Sequence, residues 1–300
     1  MRFLAKQFVE FIRRKKSYRQ ARLIHHSGQE IVRVEHEKDS DRILRRLSDL
    51  PKKLPDNHPY VKDTLELDEG DVYLSKINLN MENGIKQSDF PVVRAATPVF
   101  IEPGKPFGLI VINMDFADLS KFVTSSKENS VVYLTNDEGE FLMHPTDEIA
   151  FSFERKIDYR IDDLYEELEN FRLSTSRLNE PFKNLLPAPA VYIEPPQNRK
   201  KLKSIGKVVE SLLEEHHDWK PAFKGDAESQ VEQVLVGVPA SQVREIEARI
   251  RDEVGEGYTV HVLPQDGFRG PTHIYCQKIQ FDDRDKSRFI CLVFVVPETE

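Results

Sequence analysis

The chain has 300 residues, 39% of them hydrophobic and 31% charged, which is enough apolar material for packed cores and excludes a disordered chain. Its formal charge of -8 excludes a broad electrostatic grip on nucleic acid, since basic clusters such as Arg13-Arg14-Lys15-Lys16 and Arg199-Lys200-Lys201 are short enough to be solvated helix ends. Two cysteines, Cys276 and Cys291, cannot build a disulfide framework or a thiolate metal site, and their apolar surroundings read as strands that bury them as small hydrophobes.

The first stretch has the spacing of an amphipathic helix, with Leu4, Phe8, Phe11 and Ile12 on one face. Arg22 to Glu35 then gives two strand-like arms around Ser27-Gly28, where glycine supplies the positive φ of a tight turn. Residues 39–70 are polar and proline-punctuated, with a short helical pattern at Ile43, Leu44 and Leu47. Strand patterns follow at 71–77, 90–101 and 107–115, then a helical segment over 118–123. Val131–Thr135 and Glu140–His144 flank Asn136-Asp-Glu-Gly139, the signature of a hairpin. Helical spacing returns over 158–174, and the proline-rich passage 181–196 reads as irregular. A helix over 201–217, a strand over 234–238, a helix capped by Ser241 and stopped by Gly255, and a strand over 258–263 come next. The chain closes on a long hairpin, 274–281 with 288–296. This succession predicts an α+β layout of antiparallel sheets flanked by helices, with the second half repeating the first in kind.

No apolar run approaches the roughly 18–20 residues that cross a bilayer, and no signal peptide is visible. Two compartments fit: a cytoplasmic protein, or an ectodomain separated from its membrane anchors. Catalytic signatures are absent, with no GxSxG, no HExxH and no glycine-rich phosphate loop. The adjacent pairs His25-His26 and His216-His217 point to different sides of their elements, so neither is a two-ligand metal clamp. No catalytic residue, metal ligand or cofactor is assigned. Polar residues embedded in apolar strands do stand out, namely Tyr73, Ser75, Arg94 and Asp115. A buried ion needs a partner, so two readings remain open. Arg94 and Asp115 form a structural ion pair, or Arg94 grips an anionic group while Asp115 and Tyr73 orient the rest of a small ligand. Arg33 has a weaker claim, because alternation with Ile31 allows it to face solvent.

The segments 21–34, 72–80, 91–99 and 107–115, with the closing hairpin 278–297, resemble the extracytoplasmic double Cache (PAS-like) sensor regions of bacterial membrane-bound histidine kinases. The resemblance is carried by the order of these segments, most fully over 20–150. It implies a long N-terminal helix followed by two PAS-like domains, each an antiparallel sheet flanked by helices. The expected divisions are a helix over 1–24, a membrane-distal, ligand-binding domain over 25–157, and a linking helix with a membrane-proximal domain over 158–300. It also implies a periplasmic, non-enzymatic sensor region of an inner-membrane receptor, dimeric through the N-terminal helix. Asp115 matches in position an aspartate of the amino-acid-binding members, while the rest of their pattern is not matched around 60–80. A sensor on a diguanylate cyclase or chemoreceptor is the alternative within binding proteins; a soluble enzyme is the alternative outside them.

Overall fold

In the computed structural model the residues described are 2–36, 43–46, 59–82, 85–117, 130–166, 168, 182–185, 188–194, 199–223, 225–228, 230, 232–256, 258–263, 272–280 and 289–297. They fall into two compact units, one within Met1–Ser126 and one within Lys127–Glu300.

The first unit opens with α1 (Arg2–Arg13), which buries Ala5, Phe8, Val9 and Ile12, spaced for a single helical face. It ends well before the expected residue 24. From Tyr18 the period becomes two, and β1 (Tyr18–His25) is hydrogen-bonded on both sides, to β2 (Glu30–His36) and to β7 (Lys105–Asp115). Two flanking ladders outweigh any local helical preference of this stretch. The turn uses Gly28 at φ 82°, as its position between the arms requires. β3 (Ile43–Arg46) corrects the helical reading of Ile43 and Leu44, which lie in a strand paired with His36 and Glu35; Leu47 lies outside the described residues. The remaining elements are α2 (Pro59–Leu65), β4 (Tyr73–Leu74), β5 (Asn78–Glu82) and β6 (Ile85–Glu102). They complete a sheet in the order β3-β2-β1-β7-β6-β4, with β5 also on β6. Gly108 allows the close approach of β7 to β1, since a Cβ there would sit 2.1 Å from the Ile24 carbonyl oxygen. One face of the sheet packs Ala21, Leu23, Val32 and Val34 against α1. The opposite face packs Ile24, Tyr73, Ala96, Leu109 and Val111 against Tyr60 and Val61 of α2. The helical segment expected over 118–123 lies outside the described residues.

The second unit is built on a five-stranded sheet. Its strands are β8 (Val131–Thr135), β9 (Phe141–Met143), β10 (Phe182–Leu185), β15 (Thr272–Gln280) and β16 (Phe289–Pro297), in the order β10-β15-β16-β8-β9. The β8–β9 hairpin was expected in the distal domain. It belongs here because β8 takes its second ladder from β16, with Thr135 opposite Cys291, and this moves the division of the chain from 157/158 to 126/127. Of the helix expected over 158–174, the described part is α3 (Ile161–Leu164), after which Tyr165 is extended.

Between β10 and β15 the chain inserts a further module: β11 (Ala190–Glu194), α4 (Arg199–Glu215), β12 (Lys220–Pro221), β13 (Gln233–Val236), α5 (Val243–Val254) and β14 (Thr259–Leu263). Its strands run β12-β13-β11-β14, all antiparallel, which is the ferredoxin-like βαββαβ arrangement. The proline-rich passage read as irregular therefore holds β10 and β11. Ala190-Val-Tyr-Ile193 is free of proline, and β13 and β14 pair it on both edges. Ser241 is not the cap of α5; it lies in a 3-10 turn over Ala240–Gln242. Gly255 does end the helix, at φ 74°. Alternation sorts the inserted sheet: Ala190, Tyr192, Val234 and Leu263 join Tyr133, Phe141, Cys276 and Val293 of the five-stranded sheet in one core. Val191, Ile193 and Leu235 face Val209, Leu212, Ile246 and Ile250 of the helices. The unit thus has three layers: sheet, sheet and helix pair.

Set side by side, β2-β1-β7-β6-β4 and β9-β8-β16-β15-β10 share one strand order, with the first hairpin at one edge and the last strand beside the first. That is the PAS-like order, and it recurs in both units.

Candidate functional site

On the α2 face of the first sheet, alternation brings polar residues from five strands into one belt. β2 supplies Glu30, Arg33 and Glu35; β1 supplies Gln20 and Arg22; β7 supplies Asn113; β5 supplies Asn78 and Asn80; β6 supplies Arg94. Glu30 reaches this face through a bulge that sets it opposite Ile24; by strict alternation it would side with Val32 and Val34. The belt is buried, with Arg22 7%, Glu30 3%, Arg33 5%, Arg94 8% and Asn113 1% exposed.

The groups form a continuous hydrogen-bonded chain. Arg22 donates from Nη1 to Glu30 Oε1 at 2.9 Å and from Nη2 to Asn113 Oδ1 at 3.2 Å. Arg33 Nε donates to Glu35 Oε2 at 2.8 Å, and Gln20 Nε2 donates to the same oxygen at 3.2 Å. Asn113 Nδ2 donates to Gln20 Oε1 at 3.2 Å and lies 3.4 Å from Asn80 Oδ1. Arg94 Nη1 donates to Asn78 Oδ1 at 2.8 Å and Nη2 to Asn80 Oδ1 at 3.3 Å. Tyr60 of α2 lies over the belt, its ring centroid 5.8 Å from the Arg22 guanidinium and 5.7 Å from that of Arg94. Three guanidiniums and two carboxylates held out of water carry a heavy desolvation cost, and packed apolar side chains would stabilise the sheet as well or better. Such a belt can bind a small molecule carrying an anionic group, because its planar donor forks are already fixed by their neighbours.

The four residues singled out in the sequence share this face but not one role. Arg94 is in the belt. Ser75 supports it through the backbone: Arg94 N donates to Ser75 Oγ at 2.9 Å, and Ser75 N to Arg94 O at 2.9 Å. Tyr73 belongs to the apolar cluster with Ala96 and Leu109. Asp115 takes Arg19 as an ionic partner at 3.7 Å and accepts from Ala117 N at 3.0 Å, closing the end of β7. Arg33, read as able to face solvent, is buried. The sequence reading missed Gln20, Arg22, Glu30, Asn80 and Asn113. The signal available for Arg22 and Asn113 was a polar residue at every second place in an otherwise apolar strand.

Two other groups of ionisable side chains are chemically distinct. Glu215, His216 and Glu245 bring ligand atoms within 4.8 Å of one another. Arg249 bonds both oxygens of Glu215 at 2.6 Å and Glu245 Oε1 at 3.0 Å, so a cation already holds that position. In the second unit His144 is 5% exposed, against the rings of Tyr133, Phe141 and Tyr159. Its Nδ1 accepts from Thr146 N at 3.0 Å, and burial pushes its pKa down to about 3, keeping the ring neutral.

Among known structures, the chain is similar to the extracellular domain of a histidine kinase, at 15% identity over 85% of this chain and 80% of that one, with a TM-score of 0.50. A domain of a sensory box/GGDEF family protein from Vibrio parahaemolyticus matches at 17% identity over 78% and 76%, with a TM-score of 0.47. The ligand-binding domain of an amino acid chemoreceptor of Pseudomonas aeruginosa, solved with GABA, matches at 13% identity over 74% of each chain, with a TM-score of 0.35. No curated protein sequence matches this one. The first of these likenesses supports the PAS-like fold of the sheets described above. The family described as "Bacterial histidine kinase, sensor domain" matches residues 2–161, more than half of the chain and all of the belt, and the chain belongs to this family.

Proposed function

We propose that this chain is the extracytoplasmic sensing region of a membrane-bound histidine kinase, and that its first unit binds a small molecule with an anionic group at the belt. The observation that carries the reading is the buried row Arg22–Asn113–Asn80–Arg94, a costly arrangement for which sheet stability gives no reason. Arg94 and Arg22 grip the anionic group, and Tyr60, lying over both, couples occupancy to the position of α2. The ligand favours one arrangement of the receptor by its differential affinity for the two, since equal binding to both would shift nothing.

The same proposal includes a homodimer through α1. Beside that helix lies a hollow of about 340 Å³ lined by Phe8, Phe11, Arg14, Ile110 and Ile112, and Phe3 is 75% exposed. The helices of two protomers can cover such a surface. Among the described residues no helix is long and apolar enough to cross a membrane, so in this reading the membrane is reached through segments other than these.

The test is a thermal-shift screen of small carboxylates, amino acids and phosphate esters, followed by calorimetry on the wild type and Arg94→Ala. Loss of the guanidinium is expected to weaken the selected compound at least about tenfold, or 1.4 kcal/mol. Unchanged affinity removes Arg94 from the site. Turnover of any compound in the panel would favour an enzyme instead.

A further inference from the structure

The segment that follows β9 buries polar groups inside the second unit. His144, Thr146 and Ser152 are 5%, 2% and 1% exposed. Among the described residues, His144 Nε2, Thr146 Oγ1 and Ser152 Oγ are shut off from solvent and hydrogen-bond to no protein group. Successive turns gather the three residues into one fold-back. Thr146 N donates to His144 Nδ1 at 3.0 Å, Ile149 N to Thr146 O at 3.0 Å, and Ser152 N to Ile149 O at 3.1 Å. Phe151 N then returns to Phe141 O of β9 at 2.9 Å. Phe151 and Lys156, on either side of the 3-10 turn Ser152–Arg155, stand at φ 57° and 72°. That left-handed conformation is strained for both and persists only where the surroundings impose it.

The state of the imidazole follows from its bond. A neutral ring has one proton, and because Nδ1 accepts from Thr146 N, that proton sits on Nε2. Nε2–H is therefore a fixed donor, surrounded by the rings of Tyr133, Phe141 and Tyr159 at 5.2, 4.8 and 6.5 Å between centroids. A buried donor without an acceptor costs its full desolvation, and so does each buried hydroxyl left alone. The three groups are uncharged, so they select a neutral molecule over an ion. We infer that the second unit encloses internal water here, which accepts from His144 Nε2–H and satisfies the hydroxyls of Thr146 and Ser152. Water both donates and accepts, as one fixed donor and two rotatable hydroxyls require, and it is small enough for a packed aromatic core. β9 holds the place in its sheet that β2 holds in the first, and β2 brings Glu30 and Arg33 to the belt. The same position carries polar groups in both units, ionic in one and water-bonded in the other.

This inference does not use the belt and stands or falls apart from ligand binding. It is tested by a crystal structure of the wild-type chain at a resolution that shows ordered water, and by urea unfolding of Thr146→Val and Ser152→Ala. The expected map has water density within about 2.7–3.2 Å of His144 Nε2. Each variant loses a water-mediated bond, so its unfolding equilibrium should move about fivefold toward the unfolded chain. A hydroxyl that bonds to nothing predicts the opposite, because its removal relieves a buried polar group, and a shift toward the folded chain in either variant would overturn the inference. A protein oxygen bonded to Nε2, an organic molecule beside it, or no ordered density there would do the same. The wild-type map decides the matter even where a variant fails to fold.

Discussion

The two sheets share a strand order and differ in what lies on the covered face. In the first unit that face carries Arg22, Arg33, Arg94, Glu30 and Glu35, each bonded to a polar neighbour on the same face. In the second it carries Tyr133, Phe141, Cys276 and Val293, and the inserted βαββαβ module brings Tyr192, Val234 and Leu263 down onto them. One face gives its charged groups partners among one another; the other holds His144 neutral by burial. The same topology therefore yields a binding surface in one place and a closed core in the other, and side chains decide which.

The largest expected effect lies on the closed side. His144 stays neutral in the fold to about pH 3, but protonates near 6.5 once unfolded. The unfolded chain takes up its proton first, so stability falls as pH drops from 6.5 toward 3, by about 4–5 kcal/mol in all. Urea unfolding followed by Trp219, the single tryptophan and a member of the helix-side core of this unit, reads that loss directly. His144→Asn, which retains an acceptor for Thr146 N, should flatten the profile; an unchanged slope means that other groups carry it.

On the charged side, Arg22→Ala leaves Glu30 buried beside a missing partner and should destabilise the first unit by about 3 kcal/mol or more. Replacing both partners, as Arg22→Met with Glu30→Gln, should recover most of this. Hydrogen exchange in β1 and β2 separates the two cases, and a double variant no better than the single one would mean that the belt is structural. Tyr60→Leu removes the ring over two guanidiniums at a cost of about 1–2 kcal/mol, expected as faster exchange confined to α2. The smallest effect should come from Arg249→Ala: its bonds to Glu215 lie at the solvent-facing surface, and the Trp219 midpoint should not move measurably. A clear shift there would show that the helix pair depends on ions as the first unit does.

Much of the fold was legible from local pattern. The N-terminal helix, the turn at Gly28, the hairpin at Gly139, α4, α5 and the closing hairpin all carry a period and a stop signal within a dozen residues. Errors gathered where a neighbour in space overruled that pattern. Ile43 and Leu44 have helical spacing but lie against His36 and Glu35 at a sheet edge. Pro181–Pro196 carries breakers, yet its proline-free core is paired on both sides. β8 and β9 follow directly on the first unit in sequence but take their ladder from β16, more than a hundred residues later. Of the candidate site, Arg94 was visible as a charge in an apolar strand. Its counterpart Arg22 was passed over although it too is a charge in an apolar stretch, Ala21-Arg22-Leu23-Ile24.

By itself the sequence determined the class of protein: a globular α+β chain with antiparallel strands, and charged residues set at alternate places in strands that should be apolar. Period and composition are properties of neighbours along the chain, so one sequence is enough to read them. Only the tertiary structure decided which of those charges meet. Glu30 faces Arg22 because of a single bulge, and Arg94 joins Asn80 because β5 folds back on β6. Register and strand order are fixed by contacts between distant segments, and no local window contains them.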